Sequence, residues 1–369
     1  MQVISNNFRV RTSMVYMMTN NDVMNQIIAF YRDMNGMLTF VGAYPTQGRG
    51  TGTKEVSGVT ANEGVDPLAS QGALTLSRDG RFLLTVNAGS NTISSFIITD
   101  NGVPVLTDVK PSGGAQPNSV DVFGNFVYVS NVGNAVTNFA SNISGFLIEA
   151  NGRLTPISGS THSLSTFNAQ PAQVLFTPDG SKILVTELTS NNLSIFHVNQ
   201  NGIVTGPIVN NSYGQGPLGA YFLSSGILLV TEAMSNALSS YSLSNDGILH
   251  VISGSVPNGY KTACWVVTTK DERFAYTTNT LSGTISTYRI DSNGALSVVR
   301  HITSTPPGAA PGLPMDVRVS KDGQHFYTLN GNQGTISVFS IQNDGSLVRL
   351  QVAAWTNLPY FGSQGLAVL

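Results

Sequence analysis

Short runs of alternating apolar and polar residues recur along the chain, and each run ends in a residue with an amide or carboxylate side chain. The runs cover residues 15–20, 83–87, 127–131, 184–187, 229–232, 275–279 and 326–330. A period of two, together with many β-branched and aromatic residues, predicts β-strands. The residues that end these strands lie roughly 44 to 67 positions apart, which is close to one four-stranded unit per repeat.

Tight-turn signals flank most of these strands. Asp-Gly pairs such as Asp79-Gly80 and Asp179-Gly180 stand between an apolar strand and the marked strand that follows. Such pairs favour hairpins, because glycine adopts a positive φ without a Cβ clash. A further strand follows the markers and leads to Asn-Gly or Asp-Gly pairs such as those at positions 101, 151, 201, 246, 293 and 344. The unit is therefore four strands joined by tight turns.

The two ends of the chain complement each other. The chain enters its first unit without an inner strand, and residues 363–369 resemble residues 70–76, which start the inner strand of the second unit. Joining the two ends would remove two exposed sheet edges. We therefore predict an all-β fold. It is a seven-bladed β-propeller of four-stranded blades, a single domain over residues 1–369, and its C-terminal strand joins the N-terminal blade to close the ring.

Composition agrees with many short strands and limits the partners. Charged residues make up 10% of the chain, and it contains 38 glycines. The formal net charge of −2 argues against nucleic acid or an anionic membrane as the main partner. Cys264 is the single cysteine, which excludes an intrachain disulfide. Residues 1–15 lack the pattern of a signal peptide, and cytoplasmic and secreted locations both stay open.

The repeated unit, with its Asp-Gly hairpins and Thr-Ile-Ser strands, resembles the lactonase-type seven-bladed propellers over residues 15–369. That family includes propeller-type 6-phosphogluconolactonase and the carboxymuconate cyclase-like enzymes. The resemblance implies hydrolysis or isomerisation of a lactone at the mouth of the central channel. It also implies a cluster of His, Arg and Glu, with a His after the Pro that opens an inner strand. This chain has Asn118, Ala172, Leu218 and Met315 at those positions, and His162 alone lies in an insertion that could reach the mouth.

Two adjacent repeats carry Glu187 and Glu232 where the other repeats carry Asn. The strand ends are expected at the rim of the channel, where two neighbouring carboxylates could act as general acid and base. The alternative interpretation is that both are solvated charges on the rim. The pair could also bind a divalent cation with nearby Asn oxygens, although the leading hypothesis needs no cofactor.

Polar residues of the inner strands and a cation of the first insertion are the candidate substrate-binding groups. They are Gln71, Asn118, Gln173, Tyr221, Trp265, Asp316, Arg318, Gln364 and Arg49. The inner-strand residues could equally bind ordered water in the channel, and Trp265 could simply pack in the core.

Two functions remain open from the sequence. The leading hypothesis is a lactonase- or cycloisomerase-like enzyme that acts on a small polar ring compound at the channel mouth. The alternative is a non-catalytic propeller that binds a protein or a glycan through its rim loops. Neither hypothesis involves nucleic acid or a membrane.

Overall fold

The seven predicted repeats form seven antiparallel sheets, which are the blades of a closed ring. The computed structural model describes residues 13–56, 66–354 and 358–369, and the twenty-nine strands within them are numbered in chain order. Two short 3₁₀ turns, Ala135–Thr137 and Thr280–Ser282, lie between strands. Within these described ranges no helix is long and apolar enough to cross a membrane.

The strands of the first four blades have the following bounds. Blade 1 contains β1 (Met14–Met18), β2 (Gln26–Arg32), β3 (Leu38–Pro45) and β29 (Gln364–Val368). Blade 2 contains β4 (Leu74–Leu76), β5 (Phe82–Asn87), β6 (Thr92–Ile98) and β7 (Pro104–Pro111). Blade 3 contains β8 (Pro117–Phe123), β9 (Phe126–Asn131), β10 (Asn142–Ile148), β11 (Leu154–Pro156) and β12 (His162–Ser163). Blade 4 contains β13 (Pro171–Phe176), β14 (Lys182–Glu187), β15 (Asn192–Val198) and β16 (Val204–Asn211).

The last three blades are regular. Blade 5 contains β17 (Pro217–Phe222), β18 (Leu228–Glu232), β19 (Ala237–Leu243) and β20 (Leu249–Pro257). Blade 6 contains β21 (Ala263–Thr268), β22 (Phe274–Asn279), β23 (Thr284–Ile290) and β24 (Leu296–Thr303). Blade 7 contains β25 (Pro314–Val319), β26 (His325–Asn330), β27 (Thr335–Ile341) and β28 (Leu347–Ala354). The prediction of four-stranded blades holds except in blade 3, where residues 157–161 divide the outer strand into β11 and β12, both paired with β10.

The Asp-Gly signals mark the turns between first and second strands, as expected. In blade 2 the Asp79 carboxylate accepts hydrogen bonds from Arg81 N at 3.0 Å and from Ser77 Oγ at 2.6 Å, while Gly80 has a φ of 72°. Because every such turn lies at the same end of its blade, these turns share one face of the ring, the hairpin face. The opposite face, where inner strands begin and second strands end, is the loop face.

A repeated hydrogen bond joins neighbouring blades. A buried tyrosine of one second strand donates its hydroxyl to the carbonyl of the turn glycine in the next blade. The pairs are Tyr16 with Gly102 (2.7 Å), Tyr128 with Gly202 (2.7 Å), Tyr276 with Gly345 (3.0 Å) and Tyr327 with Gly36 (3.1 Å). The last pair connects blade 7 to blade 1. Three of these glycines, Gly102, Gly202 and Gly345, belong to turns recognised in the sequence, so those turns also carry contacts between blades.

The C-terminal strand closes the ring, as the sequence predicts. Strand β29 pairs antiparallel with β1, with Val368 opposite Val15 and Leu366 opposite Met17. Strand β29 also contacts β4 on one side and β25 on the other, so the inner strands form an unbroken circle. Leu366 is fully buried in an apolar cluster that includes Leu329 of blade 7. Blades 1 and 7 are thus joined by both main-chain pairing and side-chain packing.

We expect Leu366→Ala to lower the free energy of unfolding by about 2–5 kcal/mol, because it leaves a cavity where the two ends of the chain meet. The matched control is Leu350→Ala, which makes the same change at a largely exposed position of β28 and should cost less than about 1 kcal/mol. Urea unfolding of both variants measures the difference. If both variants lost the same free energy of unfolding, the closing strand would have no special importance for stability.

Candidate functional site

The residues that end the second strands are buried inside their blades. Glu187 and Glu232 are both 0% exposed, and the asparagines at the same position in other blades are equally buried. The expectation that the two carboxylates face an open channel mouth is therefore wrong. The alternative, two solvated charges on the rim, is wrong for the same reason.

This strand-end position binds the third strand of its own blade. Asn87 Nδ2 donates a 2.8 Å hydrogen bond to Ser94 Oγ. In blade 4 the bond has the opposite direction, because a carboxylate only accepts: Ser194 Oγ donates to Glu187 Oε1 at 2.6 Å. Blade 5 repeats this arrangement with Ser239 and Glu232. Glutamate thus replaces asparagine without loss of the link between strands.

Each glutamate also holds the loop that enters its blade. Ser165 N, in the loop that enters blade 4, donates to Glu187 Oε1 at 3.1 Å. Ser190 Oγ, in the turn that follows β14, donates to Glu187 Oε2 at 2.6 Å. Gly214 N donates to Glu232 Oε1 at 2.8 Å. Several hydrogen bonds to one buried carboxylate stabilise its charge inside the protein. These contacts indicate a structural role for both residues, and a catalytic role for them stays a prediction.

Residues 66–72, which we call the plug segment, close the channel at the loop face. Gln71 belongs to blade 2, yet its Nε2 donates to the carbonyls of Ala220 (3.3 Å) in blade 5 and Val266 (3.2 Å) in blade 6. Its Oε1 accepts from Val266 N at 3.0 Å, and its main-chain N donates to Ala172 O in blade 4. The side chain therefore spans the channel, and its carboxamide is occupied by main-chain partners of blades 5 and 6.

Three further predicted binding residues hold the plug segment and are buried. Trp265 Nε1 donates to Ser70 O at 3.0 Å, and Asn118 Nδ2 donates to Leu68 O at 3.3 Å. Gln364 Oε1 accepts from Leu68 N at 2.8 Å. Trp265 consequently offers no exposed ring for stacking on a substrate, and the amides of Asn118 and Gln364 are occupied by protein partners. The expectation that these three residues contact substrate is not supported by their positions.

A cavity of about 160 Å³ lies in the channel on the hairpin side of Gln71. Its polar lining residues are Gln71, Thr75, Asp121, Gln173, Tyr221 and Arg318. Asp121, Tyr221 and Arg318 occupy the fifth position of their inner strands, in blades 3, 5 and 7. The structure thus brings four of the predicted binding residues together, namely Gln71, Gln173, Tyr221 and Arg318, and adds Thr75 and Asp121.

Asp121 is the titratable acid of this cavity. Burial raises the pKa of its carboxyl group to about 6, although a 2.8 Å hydrogen bond from Phe176 N to Oδ2 and the charges of Arg78 and Arg318 act in the opposite direction. A carboxyl group with this pKa can exchange a proton near neutral pH. The sequence alone does not single out Asp121, because one Asp between two valines of a strand resembles an ordinary surface residue. Asp121 has the same position in the inner strand of blade 3 as Arg318 has in that of blade 7, and this shared position was the available signal.

Arg318 is the cation of the cavity, and hydrogen bonds to neighbouring protein groups hold its guanidinium in place. Its Nη1 donates to Asp316 Oδ1 at 2.8 Å and to Val317 O at 2.7 Å. Asp316 is buried, and its Oδ2 accepts a 2.9 Å hydrogen bond from Leu366 N in the closing strand. Burial raises the pKa of Asp316, while the positive charge of Arg318 opposes that shift. Asp316 is therefore a support for Arg318 and does not line the cavity itself.

The remaining candidates lie elsewhere. Arg49 is exposed in the first insertion, whose main chain bonds to Ser90 Oγ on the loop face (3.0 Å), away from the cavity. His162 lies in β12 at the outer side of blade 3 and packs against Phe196. The expectation that it reaches the channel mouth is wrong. Among the residues described by the structure, no group of three or more His, Cys, Asp or Glu side chains could hold a metal ion.

The fold is that of a seven-bladed β-propeller, with a polar cavity in its channel. A sequence model of the family "Lactonase, 7-bladed beta-propeller" matches residues 7–132, 119–222 and 265–359. Because these matches cover well over half of the chain, the protein belongs to this family. A search of curated proteins finds none that matches.

Solved structures of similar shape share little sequence with this chain. A candidate 6-phosphogluconolactonase from Bacteroides fragilis is 17% identical, with a TM-score of 0.73 and coverage of 99% of this chain and 100% of that one. The periplasmic gluconolactonase of Pseudomonas aeruginosa is also 17% identical, with a TM-score of 0.71 and coverage of 97% and 99%. At such identities the likeness shows the fold alone.

We expect Glu187→Gln to lower the free energy of unfolding by about 1–3 kcal/mol, because it replaces a charged acceptor that several buried donors share. Any activity of the protein should be retained in the folded variant. Thermal unfolding and an activity assay measure the two effects. The control is Glu149→Gln, an exposed glutamate, which should leave stability nearly unchanged. A variant of normal stability without activity would instead support the catalytic prediction for Glu187.

Proposed function

We propose that the protein is a lactone hydrolase that opens a small cyclic ester in the channel cavity. The observation that supports this most directly is that Asp121 and Arg318 both line one cavity, in a chain that belongs to the lactonase family. A proton acceptor and a cation at the same site are the two groups that ester hydrolysis needs most. The family match favours this enzyme hypothesis over a non-catalytic propeller that binds a protein or glycan.

Asp121 serves as the general base. With its pKa raised to about 6, its carboxylate is ionised at neutral pH and still basic enough to accept a proton from water. The activated water attacks the carbonyl carbon of the lactone, and its proton moves to the Asp121 carboxylate. The hydrogen bond from Phe176 N to Oδ2 fixes the orientation of the carboxyl group.

Arg318 stabilises the negative charge that develops on the carbonyl oxygen. Its guanidinium is fixed by Asp316 and by Val317 O, so little reorganisation is needed during the reaction. The tetrahedral intermediate then breaks its bond to the ring oxygen, which takes the proton held by Asp121. The product is an open-chain hydroxy acid, and water has been added across the ester bond.

The other polar groups of the cavity orient the ring. Tyr221 contributes a phenol hydroxyl and Gln173 a carboxamide, and both suit the hydroxyl groups of a polar substrate. Gln173 is itself held in place, because its Oε1 accepts a 2.6 Å hydrogen bond from Ala220 N. This mechanism needs no metal ion.

We expect Asp121→Asn to lower kcat/KM for lactone hydrolysis by about 10²- to 10⁴-fold, because asparagine cannot accept the proton. For the unchanged protein, kcat/KM should rise with pH up to about 6 and then level off, since only the ionised carboxylate is active and its pKa is about 6. The variant should lack this inflection. A pH-stat assay over γ- and δ-lactones measures both effects after subtraction of spontaneous hydrolysis.

The asparagine variant should fold, because its side-chain oxygen can still accept from Phe176 N. Asp100→Asn, at an exposed turn of blade 2, is the matched control and should keep full activity. If the unchanged protein hydrolyses no member of the panel, or if Asp121→Asn is as active as the control, the proposed function is incorrect.

A further inference from the structure

The charges around the channel cavity restrict what it can bind. Arg318 is the one cation among the described residues that line the cavity, and it is already paired with Asp316. Asp121 adds a carboxylate on the cavity wall itself, while Asp316 lies behind Arg318. With both acids ionised, these three side chains carry a net charge of −1. The cavity is therefore less favourable for an anion than the presence of an arginine suggests.

Most hydrogen-bond donors of the Arg318 guanidinium are already bonded to protein acceptors. Nη1 makes two hydrogen bonds, to Asp316 and to Val317 O, and Nη2 makes a long one, 3.4 Å, to Leu74 O. The remaining N–H groups of Arg318 suit one carbonyl oxygen or one oxyanion. A phosphate group has three strong acceptor oxygens and a charge of about −1.5 to −2 at neutral pH, and it usually requires bidentate arginine contacts or several cations.

A second arginine near Asp121, Arg78, does not add a positive charge to the lining of the cavity. Arg78 donates through Nη1 to Pro178 O at 2.7 Å and through Nη2 to Thr177 O at 3.3 Å. Its guanidinium also stacks on the Phe123 ring, 4.4 Å from the ring centre. Arg78 thus bridges two hairpins on the hairpin face and is not part of the cavity lining.

The size of the cavity also favours a small uncharged ring. A volume of about 160 Å³ accommodates roughly a dozen water-sized atoms, which suits a five- or six-membered lactone with its hydroxyl groups. One part of the wall is apolar, formed by Leu175 and Val267, and an apolar wall favours an uncharged ring over an ion.

We propose that the cavity selects an uncharged, unphosphorylated lactone and rejects the phosphate ester of the same sugar lactone. This inference rests on the proposed function for the reaction itself, but the selection also applies to binding alone. It separates the two activities named for the similar structures, because their names differ by a phosphate group.

The test compares δ-gluconolactone with its 6-phosphate, both in hydrolysis and in binding. We expect kcat/KM for the neutral lactone to exceed that for the phosphate ester by at least about 100-fold. Calorimetry with the corresponding lactams, which resist hydrolysis, measures binding without turnover. Selective binding of the neutral lactam without any hydrolysis would support the selection and contradict the proposed function. Equal or tighter binding of the phosphorylated lactam, or binding of neither, would overturn the inference.

A charge variant tests the cause of the selection. Thr75 lines the cavity and is partly exposed, so Thr75→Lys can add a cation whose end group stays in contact with water. We expect this variant to reduce the ratio of neutral to phosphorylated lactam affinity at least tenfold. Thr75→Gln, of similar length and no charge, should leave the ratio within about threefold of that for the unchanged protein. The same ratio in both variants would show that charge is not the cause.

Discussion

The pairing of β29 with β1 is the constraint on which the rest of the molecule depends. It places an inner strand in blade 1 and so allows the inner strands to meet around a closed channel. It also supplies Leu366 N to the carboxylate of Asp316, which in turn fixes Arg318. The geometry of the cavity therefore depends on contacts between the two ends of the chain. Local hydrogen bonds within one blade would not produce it.

The fold could be predicted because its signals are local and repeated. The Asp-Gly turns, the strand-end residues and the third strands occur at similar spacing, and six of the seven blades are formed from consecutive residues. The main exception is the divided outer strand of blade 3. The sequence shows an insertion there, but whether an insertion interrupts a strand or extends a loop depends on packing that a single sequence does not reveal.

The site was predictable only in part, and the errors have physical causes. Gln71, Gln173, Tyr221 and Arg318 line one cavity, because these residues in or just before the inner strands face the channel. The glutamates were misinterpreted because the sequence shows the change from amide to carboxylate, but not that serine hydroxyls reverse their hydrogen bonds to match it. The plug segment was missed because Gln71 finds its partners 149 and 195 residues away.

Among the described residues, the plug segment closes the channel at the loop face, so a ligand of the cavity enters from the hairpin face and leaves by the same route. In the proposed reaction, each product molecule therefore has to depart before the next lactone arrives. That reaction would convert a neutral ester into a carboxylate anion beside an Asp121 side chain that has just regained its own negative charge. Mutual repulsion would then favour departure, so the side chain proposed to begin the reaction would also help to empty the site.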